Sequence, residues 1–302
     1  ADYYALKAGE RTPHPVIDYQ KGSLRDDFDF GSVLLYRSDL LRAAVEAADE
    51  EYKFAALYDL RLRVSCEAPL VHVSEYLYTE VEHDFRKSGE KQFDYVDPRN
   101  RAVQIEMEAA CTAHLKRIGG YLKPEFEPIA FSEEAFAEEA SVIIPVRNRV
   151  RTIEDAIRSV LTQQTDFPFN IIVIDNHSTD GTTEKVAALA AQDKRIIHLI
   201  PERDDLGIGG CWNLGVHHKR CGRFAVQLDS DDVYSDNNTL RKIVAAFYEQ
   251  QCAMVVGTYM MTNFQMEMIQ PGVIDHKEWT PENGRNNALR INGLGAPRAF
   301  YT

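Results

Sequence analysis

The feature that most constrains this chain is a regular alternation of two kinds of segment between residues 141 and 259. Short apolar runs, each short enough to be a buried strand, occupy residues 141–145, 170–174, 195–200, 224–228 and 253–259. Between them, apolar residues recur at helical spacing in residues 152–161, 181–191 and 210–221. Strands alternating with helices predict an α/β fold, a mostly parallel sheet with helices on both faces.

Composition excludes several classes of protein. The 302 residues carry a net charge of −13, with 47 acidic and 34 basic residues, so a nucleic-acid partner is not expected. No apolar run approaches the roughly 20 residues that span a bilayer, so no transmembrane segment is predicted. The five cysteines contain no CxxC pair and are typical of reduced thiols in a cytoplasmic protein, namely Cys66, Cys111, Cys211, Cys221 and Cys252.

The first 139 residues are less regular. Residues 97–118 predict one helix with an apolar face, which Gly119 and Gly120 end. An acidic connector follows, and we place a domain boundary near residue 139. A weak internal repeat relates residues 16–20 to 273–277 and residues 31–38 to 295–302.

Three polar groups follow predicted strands. They are Pro145-Val-Arg-Asn148, Asp175-Asn-His-Ser178 and the acidic cluster that begins at Asp229. Ligands of an open parallel sheet bind outside the carboxyl ends of its strands, where the strand order reverses. The sequence therefore predicts that the three groups meet at one edge of the sheet and form a ligand site.

The acidic cluster comprises Asp229, Asp231 and Asp232. Three neighbouring carboxylates repel one another and raise one another's pKa unless a cation compensates. Hard oxygen ligands suit Mg²⁺ or Mn²⁺, and Mg²⁺ is commonly held by one or two carboxylates together with substrate phosphates. The cluster thus indicates a metal-bridged diphosphate, and the alternative is a solvated loop whose aspartates cap the next helix.

Four motifs in this order, SVIIPVRNR, IIVIDNHSTDGT, LGIGGCWNLGV and FAVQLDSDD, resemble the nucleotide-sugar-binding half of a family 2 glycosyltransferase with the Rossmann-like GT-A fold. The resemblance covers residues 140 to about 260. It implies metal-dependent, inverting transfer from a nucleoside-diphosphate sugar, with UDP favoured, to a saccharide or glycoconjugate acceptor. It also implies polysaccharide or glycoconjugate synthesis in the cytoplasm or at the inner face of the membrane.

The resemblance assigns a role to each matching position. The nucleoside pocket would be lined by Pro145, Val146, Arg147 and Asn148. Asp175 would accept a hydrogen bond from the base, and Asn176 and Ser178 would complete that wall. Residues of the segment from Gly207 to Asn213 would pass close to the nucleotide. Asp229 and Ser230 would lie by the ribose and diphosphate, Asp231 would be the main metal ligand with Asp229 assisting, and Asp232 would support the loop.

Three departures accompany the resemblance. Asp205 replaces an Asn that is frequent in the family, and Cys211-Trp212 replaces an Ala-Arg pair. The sequence also ends at Thr302, before the Glu-Asp motif that supplies the general base. Residues 30–63 resemble the acceptor half instead, yet Ala56 and Leu57 stand at the Glu-Asp positions and cannot act as a base. Asp59 is the remaining, weak candidate for a catalytic residue.

These matches predict three parts: a partial acceptor-half segment in residues 1–80, a helical linker in 81–139, and a nucleotide-sugar-binding part in 140–302 that is truncated at its C-terminus. The favoured explanation is a piece of a tandem glycosyltransferase, which would bind nucleotide-sugar but transfer it poorly. Alternatively, residues 1–80 complete the fold of 140–302, within one chain or by swapping in a homodimer.

Two other functions compete with this interpretation. The Asp229-Ser-Asp-Asp-Val233 segment also fits the nucleophile motif of haloacid-dehalogenase-type phosphatases, but it follows a fourth strand instead of a first. The second alternative is a degenerate, non-catalytic module that binds a nucleotide or carbohydrate.

Overall fold

The computed structural model describes residues 1–48, 50–81, 100–277, 279–280, 284–291 and 298–302. The chain divides into two compact units, residues 1–124 with 260–293 and residues 125–259 with 294–302, which we name unit 1 and unit 2. The boundaries near residues 80 and 139 that we drew from the sequence stay predictions.

Unit 1 begins with a three-stranded sheet in the order β2-β1-β3, formed by β1 (Tyr3–Lys7), β2 (Glu10–His14) and β3 (Tyr78–Val81). β1 is antiparallel to β2 and parallel to β3. Ala8 and Gly9 connect the first two strands, with φ angles of 51° and 85°. Two consecutive positive φ angles are typical of the tight hairpin turn whose twist matches that of the strands.

Three helices follow in unit 1, α1 (Ser38–Glu46), α2 (Ala56–Glu67) and α3 (Arg101–Arg117). Tyr58 and Leu62 of α2 pack against Cys111 and Leu115 of α3 in a buried cluster. The predicted helix 97–118 is therefore observed from Arg101, and residues 97–99 lie outside the described part of the chain.

The predicted end of this helix is confirmed in detail. Gly119 has a φ of 71°, and the N–H of Gly120 donates to the carbonyl of Leu115 at 2.8 Å. A left-handed residue just after the last helical turn satisfies carbonyls that the helix leaves open. Cys111 and Leu115 on the apolar face of this helix are buried, whereas Ile118 at its C-terminal end is 49% exposed.

Unit 2 is built on a six-stranded sheet, which comprises β4 (Ala140–Val146), β5 (Phe169–Asp175), β6 (Ile196–Leu199), β7 (Phe224–Gln227), β8 (Met254–Val256) and β11 (Arg298–Tyr301). The order of the strands in this sheet is β6-β5-β4-β7-β11-β8. The first four are parallel, and β11 is antiparallel to β7 and β8. The predicted mostly parallel α/β sheet is confirmed.

Helices cover both faces of this sheet, as predicted. One face packs against α4 (Ile153–Leu161), α5 (Thr182–Gln192) and α7 (Thr239–Gln250). The other face packs against α6 (Ile208–Val216), which ends five residues before the predicted end at 221. Because both faces are buried, the strands read as continuous apolar runs, and each fully buried Val or Ile contributes about 1.5–3 kcal/mol.

The region predicted as one strand at 253–259 is two strands in different sheets. β8 joins the sheet of unit 2, whereas β9 (Tyr259–Thr262) pairs with β10 (Met268–Ile274). A short helix, α8 (Asn287–Arg290), completes the described elements. The predicted repeat is not matched by secondary structure: residues 16–20 and 31–37 are irregular, residues 273–274 end β10, and residues 298–301 are β11. Residues 295–297 of the repeat lie outside the described residues.

Candidate nucleotide-sugar site

The three predicted polar groups lie at one edge of the unit 2 sheet. Val146 is paired with Asp175 across β4 and β5, and Ile143 is paired with Gln227 across β4 and β7. Successive connections from β4 place β5 and then β6 on one side, and the connection through α6 places β7 on the other side. The strand order reverses beside β4, so its carboxyl end marks the crevice where ligands of such sheets bind.

The loops that follow β4 and β5 are joined by hydrogen bonds. Asn148 donates its backbone N–H to the Ser178 hydroxyl at 3.0 Å, and its Oδ1 accepts from the Thr179 N–H at 2.8 Å. The next two backbone N–H groups, of Arg149 and Val150, donate to side chains at the start of α5 and in the loop before it, at 2.9 and 3.1 Å. Asn148 adopts a φ of 55°, a left-handed conformation that Asn tolerates better than most residues. The two loops therefore form one fixed wall.

Asp175 is the buried anchor of that wall. Its carboxylate is 0% exposed, accepts from the Ser178 N–H at 3.0 Å and the Thr183 hydroxyl at 2.5 Å, and lies 3.5 Å from His198 Nε2. Burial raises the pKa of Asp175, but the hydrogen bonds from Ser178 and Thr183 outweigh it and leave the pKa below its ordinary value. Thr183 and His198 were not predicted. The predicted contact of Asp175 with a base stays a prediction, since its oxygens face these internal donors.

Asn176 connects the wall to the start of α6. Its backbone N–H donates to the carbonyl of Val146 at 2.8 Å, and its Nδ2 donates to the carbonyl of Leu206. Asn176 is only 8% exposed, and its side-chain Oδ1 is buried without a hydrogen-bond partner. A buried acceptor without a partner is costly, so this oxygen is suited to a ligand donor.

The predicted glycine segment is open on its outer side. Gly207 is the residue before the first turn of α6, and a Cβ added to Gly207 or Gly209 would meet no atom within 4 Å. The N-terminal N–H groups and dipole of a helix favour a negative charge there. Asn213, further along α6, is exposed, and its carbonyl accepts the N–H of His217 at 3.0 Å.

The predicted nucleoside-pocket residues of β4 differ in burial. Val146 is 3% exposed and belongs to the core, so its backbone carbonyl carries its contact with the loop. Pro145 is half-buried, and Arg147 is exposed. Only Arg147 among these three presents a polar side chain toward solvent at the strand end.

The end of β7 is fixed by a chain of side-chain hydrogen bonds. Arg298 of β11 donates its Nε–H to Gln227 Oε1 at 2.8 Å, and Gln227 Nε2 donates to Asp229 Oδ1 at 3.0 Å. Ser230 is buried at 7% exposure. Neither Gln227 nor Arg298 was predicted from the sequence. A glutamine at the end of an apolar run is the sequence signal that could have revealed Gln227, because a polar side chain buried there needs a hydrogen-bond partner.

The predicted metal ligand Asp231 is half-exposed, and Arg149 from the wall lies opposite it, with Nε 3.6 Å from Asp231 Oδ2. Asp232 as a whole residue is exposed, but protein atoms partly bury its carboxyl group. This partial burial, together with the charges of Asp229 and Asp231, raises the pKa of Asp232 to about 6. The negative charges of Asp229 and Asp231 thus disfavour the ionised form of Asp232.

The residues present fit a cation that also binds a ligand. Within the described residues, no group of three or more His, Cys, Asp or Glu side chains is arranged to hold a metal ion by itself. Asp229 and Asp231 supply hard carboxylate oxygens, and Arg149 leaves the local negative charge incompletely balanced. One or two carboxylates completed by phosphate oxygens is the arrangement that Mg²⁺ prefers.

Asp59, the weak candidate for a catalytic base, lies in unit 1. It is 4% exposed, with Oδ2 2.6 Å from Arg63 Nε and Oδ1 3.6 Å from Arg117 Nη2. A general base must reach the proton that it abstracts. The described contacts of Asp59 are those of a buried ion-pair cluster, and they give no support to a role as the base.

Comparison with known proteins identifies the family. The profile of the family described as glycosyl transferase family 2 matches residues 141–290. An uncharacterized glycosyltransferase of Rickettsia conorii is 40% identical over 94 residues, which are 31% of this chain and 15% of the relative. The UDP-Glc:alpha-D-GlcNAc-diphosphoundecaprenol beta-1,3-glucosyltransferase WfgD of Escherichia coli is 32% identical over 123 residues, 41% of this chain and 46% of the relative.

Among solved structures, S. aureus TarS 1-349 resembles this chain with a TM-score of 0.42 and 24% identity, over 54% of this chain and 47% of that one. The chain spans less than half the length of each relative named here. The strand order defines an α/β protein, and the polar strand ends form a candidate ligand site at the carboxyl edge of its sheet. Residues 141–290 belong to glycosyltransferase family 2, and the α/β fold that the resemblance implied is confirmed.

No helix among the described residues is both long enough and apolar enough to cross a membrane.

Proposed function

We propose that unit 2 binds a nucleoside-diphosphate sugar, with UDP as the favoured nucleotide, at the carboxyl ends of β4, β5 and β7. The observation that carries the proposal is the hydrogen-bonded wall of two loops beside a turn of three carboxylates with Arg149 opposite. The unpartnered Asn176 Oδ1 and the open start of α6 border the same crevice. The name of the Escherichia coli relative, which includes UDP-Glc, supports the choice of UDP.

The proposed donor site divides the work among these residues. Pro145, Val146, Arg147 and Asn148 line the nucleoside pocket, with Asp175, Asn176 and Ser178 as its second wall. Gly207 to Asn213 lie beside the nucleotide, and Asp229 and Ser230 lie by the ribose and diphosphate. Asp231, assisted by Asp229, holds Mn²⁺ or Mg²⁺.

The bound cation would neutralise charge on the departing diphosphate. Arg149 contributes a fixed positive charge near the same carboxylates and positions Asp231. We propose inverting transfer, in which an acceptor hydroxyl attacks the anomeric carbon on the face opposite the diphosphate. The acceptor is a saccharide or glycoconjugate of polysaccharide synthesis, in the cytoplasm or at the inner face of a membrane. Its general base is not assigned to a residue of this chain.

The test is calorimetric titration of UDP and GDP with and without Mn²⁺. UDP should bind in a Mn²⁺-dependent manner, and Asp231→Ala should weaken binding at least about tenfold, because a charged ligand contact is lost. Asp166→Ala is the matched control, since Asp166 is an exposed aspartate that precedes the amino end of β5, at the opposite edge of the sheet. Absence of UDP and GDP binding to the folded chain would refute the proposed donor site. Equal loss in both variants would refute the metal role of Asp231.

We also propose that this chain is part of a tandem glycosyltransferase and transfers sugar poorly by itself. Light scattering measures its oligomeric state, and product release from a radiolabelled UDP-sugar measures transfer. A monomer that binds UDP without transfer is expected. A homodimer with transfer activity would overturn this proposal and favour completion of the fold by residues 1–80.

A further inference from the structure

Unit 1 contains a cavity of about 690 Å³ that the donor site does not use. Its walls are mainly apolar, and several apolar side chains at its border are strongly exposed, namely Leu35 at 95%, Val71 at 82% and Leu57 at 72%. A concave apolar site with a few fixed polar groups is the usual form of a small-molecule site.

A buried guanidinium lies in the wall of this cavity. Arg61 of α2 is 7% exposed, and its Nη2 donates to the carbonyl of Arg25 at 2.8 Å. Its Nη1 is buried and has no hydrogen-bond partner. Leaving a buried charged donor without a partner is costly, so this group is suited to an acceptor that the cavity would admit.

Three aromatic rings lie close to this guanidinium but do not provide an acceptor for Nη1. The Arg61 Cζ lies 5.0 Å from the ring centre of Tyr58, 5.3 Å from that of Phe30 and 5.9 Å from that of Tyr19. Cation–π contacts engage the flat face of a guanidinium, whereas its hydrogen bonds lie in its plane. The Nη1 edge therefore lacks an acceptor, which a planar or tetrahedral anion that reached it from the cavity would supply.

The other charged side chains that line the cavity are already paired within unit 1. These pairs are Asp26 with Arg290, Asp29 with Tyr3 and His14, Arg37 with Asp39, and His72 with Asp2 and Asp18. Among the described residues, Arg61 is in no ion pair, although the charge of Asp26, which pairs with Arg290, acts on it as well. The unpartnered Nη1 donor favours an acceptor at this position, and an anionic acceptor would also compensate the buried charge of Arg61.

We propose that this cavity binds a single-chain amphiphilic anion, whose carboxylate or phosphate group pairs with Arg61 and whose hydrocarbon chain lies along the apolar wall. The proposal concerns unit 1 alone and does not rest on the proposed donor site. It assigns Arg61 to the head group and Leu34, Leu57 and Val71 to the chain.

The test compares ligands that differ only in the head group. Octyl phosphate, octanoate, octan-1-ol and inorganic phosphate are titrated into the full chain at neutral pH. Both octyl anions should bind at least about tenfold more tightly than the alcohol, because a charge-assisted hydrogen bond is gained. Inorganic phosphate, which lacks the chain, should bind more weakly than octyl phosphate by a similar factor. Equal affinity of alcohol and anions, or of octyl phosphate and inorganic phosphate, would overturn the proposal.

Variants locate the site. Arg61→Gln should reduce the affinity for both octyl anions to that for octan-1-ol. Arg11→Gln is the matched control, because the Arg11 guanidinium also lies over a ring, 3.7 Å from the centre of Tyr4, but is exposed on β2. Unchanged binding in a folded Arg61→Gln chain would refute the assignment. If circular dichroism indicates that this variant does not fold, Leu34→Ser at the rim of the cavity replaces it. Leu34→Ser should lower the affinity for both octyl anions and for the alcohol. Unchanged binding in that variant would also refute the site.

Discussion

The hydroxyl of Thr183 is expected to stabilise unit 2 through the buried carboxylate of Asp175. It lies 2.5 Å from Asp175 Oδ2, and that carboxylate is 0% exposed. A hydrogen bond to a charged group contributes about 1.5–3 kcal/mol. Thr183→Val keeps the shape of the side chain and removes the donor, so it should lower the free energy of unfolding of unit 2 by that amount. Thr183→Ser keeps the donor and should cost only about 0.5 kcal/mol, for the loss of a half-buried methyl group.

Tryptophan fluorescence during urea unfolding measures this effect in unit 2 alone. The chain has two tryptophans, Trp212 in α6 of unit 2 and Trp279 in unit 1. Both variants are therefore compared in a Trp279→Phe background, in which Trp212 is the remaining reporter. Two units need not unfold together, so a local reporter is required to assign the change.

The pH dependence gives a second, independent check. Burial raises the pKa of Asp175, but hydrogen bonds from Ser178 and Thr183 outweigh this effect and hold that pKa below its ordinary value. A lowered pKa in the folded state contributes stability that is fully present well above the unfolded value of about 3.9 and is lost as the pH falls through the folded value. Thr183→Val should therefore lose less stability than the parent between pH 5 and pH 3 (chosen as roughly one unit on each side of that value). Equal stability of the Val and Ser variants, or an unchanged acid dependence, would refute the reasoning.

Three further predictions concern single positions. Asn148→Ala should weaken UDP binding about tenfold in calorimetry, because it removes the hydrogen bond from the Thr179 N–H and places Ala at a positive φ. Asn148→Gly also lacks this hydrogen bond but relieves the backbone strain, so it should recover part of the lost affinity. Gly215→Ala should destabilise unit 2 by about 1–3 kcal/mol, as measured by Trp212 fluorescence during urea unfolding, because the new Cβ would lie 2.7 Å from Ile143 Cγ2. Gly209→Ala in the same helix should not destabilise unit 2, because its new Cβ would meet no atom within 4 Å. The hydrogen bonds that the His72 ring donates to its two carboxylate partners raise the pKa of His72. Its contribution to the stability of unit 1 should therefore be full below about pH 6.5 and lost as the pH rises through the folded pKa. Thermal unfolding should find His72→Gln less stable than the parent at pH 6 and nearer to it at pH 8.5, and equal pH profiles would contradict this.

Much of the wall of the proposed donor site was predictable, because the carboxyl ends of neighbouring parallel strands lie at the same edge of a sheet. The predicted Asn148 and Ser178 are in direct hydrogen-bond contact, and Asn176 contacts the end of β4. The side chains that hold the wall were not predicted. Thr183 and His198 reach Asp175 from the next helix and strand, and periodicity gives no information about such contacts across elements.

The sequence by itself determined the α/β architecture of unit 2, because a helix and a strand bury their apolar residues at different periods. It also determined the helix stop at Gly119, where the left-handed conformation is a local property of the residue. Only the tertiary structure decided that residues 253–259 supply strands to two different sheets, since a short apolar run does not specify its partner. The cavity lined by Arg61 likewise depends on segments of unit 1 that are distant in sequence. The packing of those segments decides whether each N–H group of the guanidinium finds an acceptor, and Nη1 finds none.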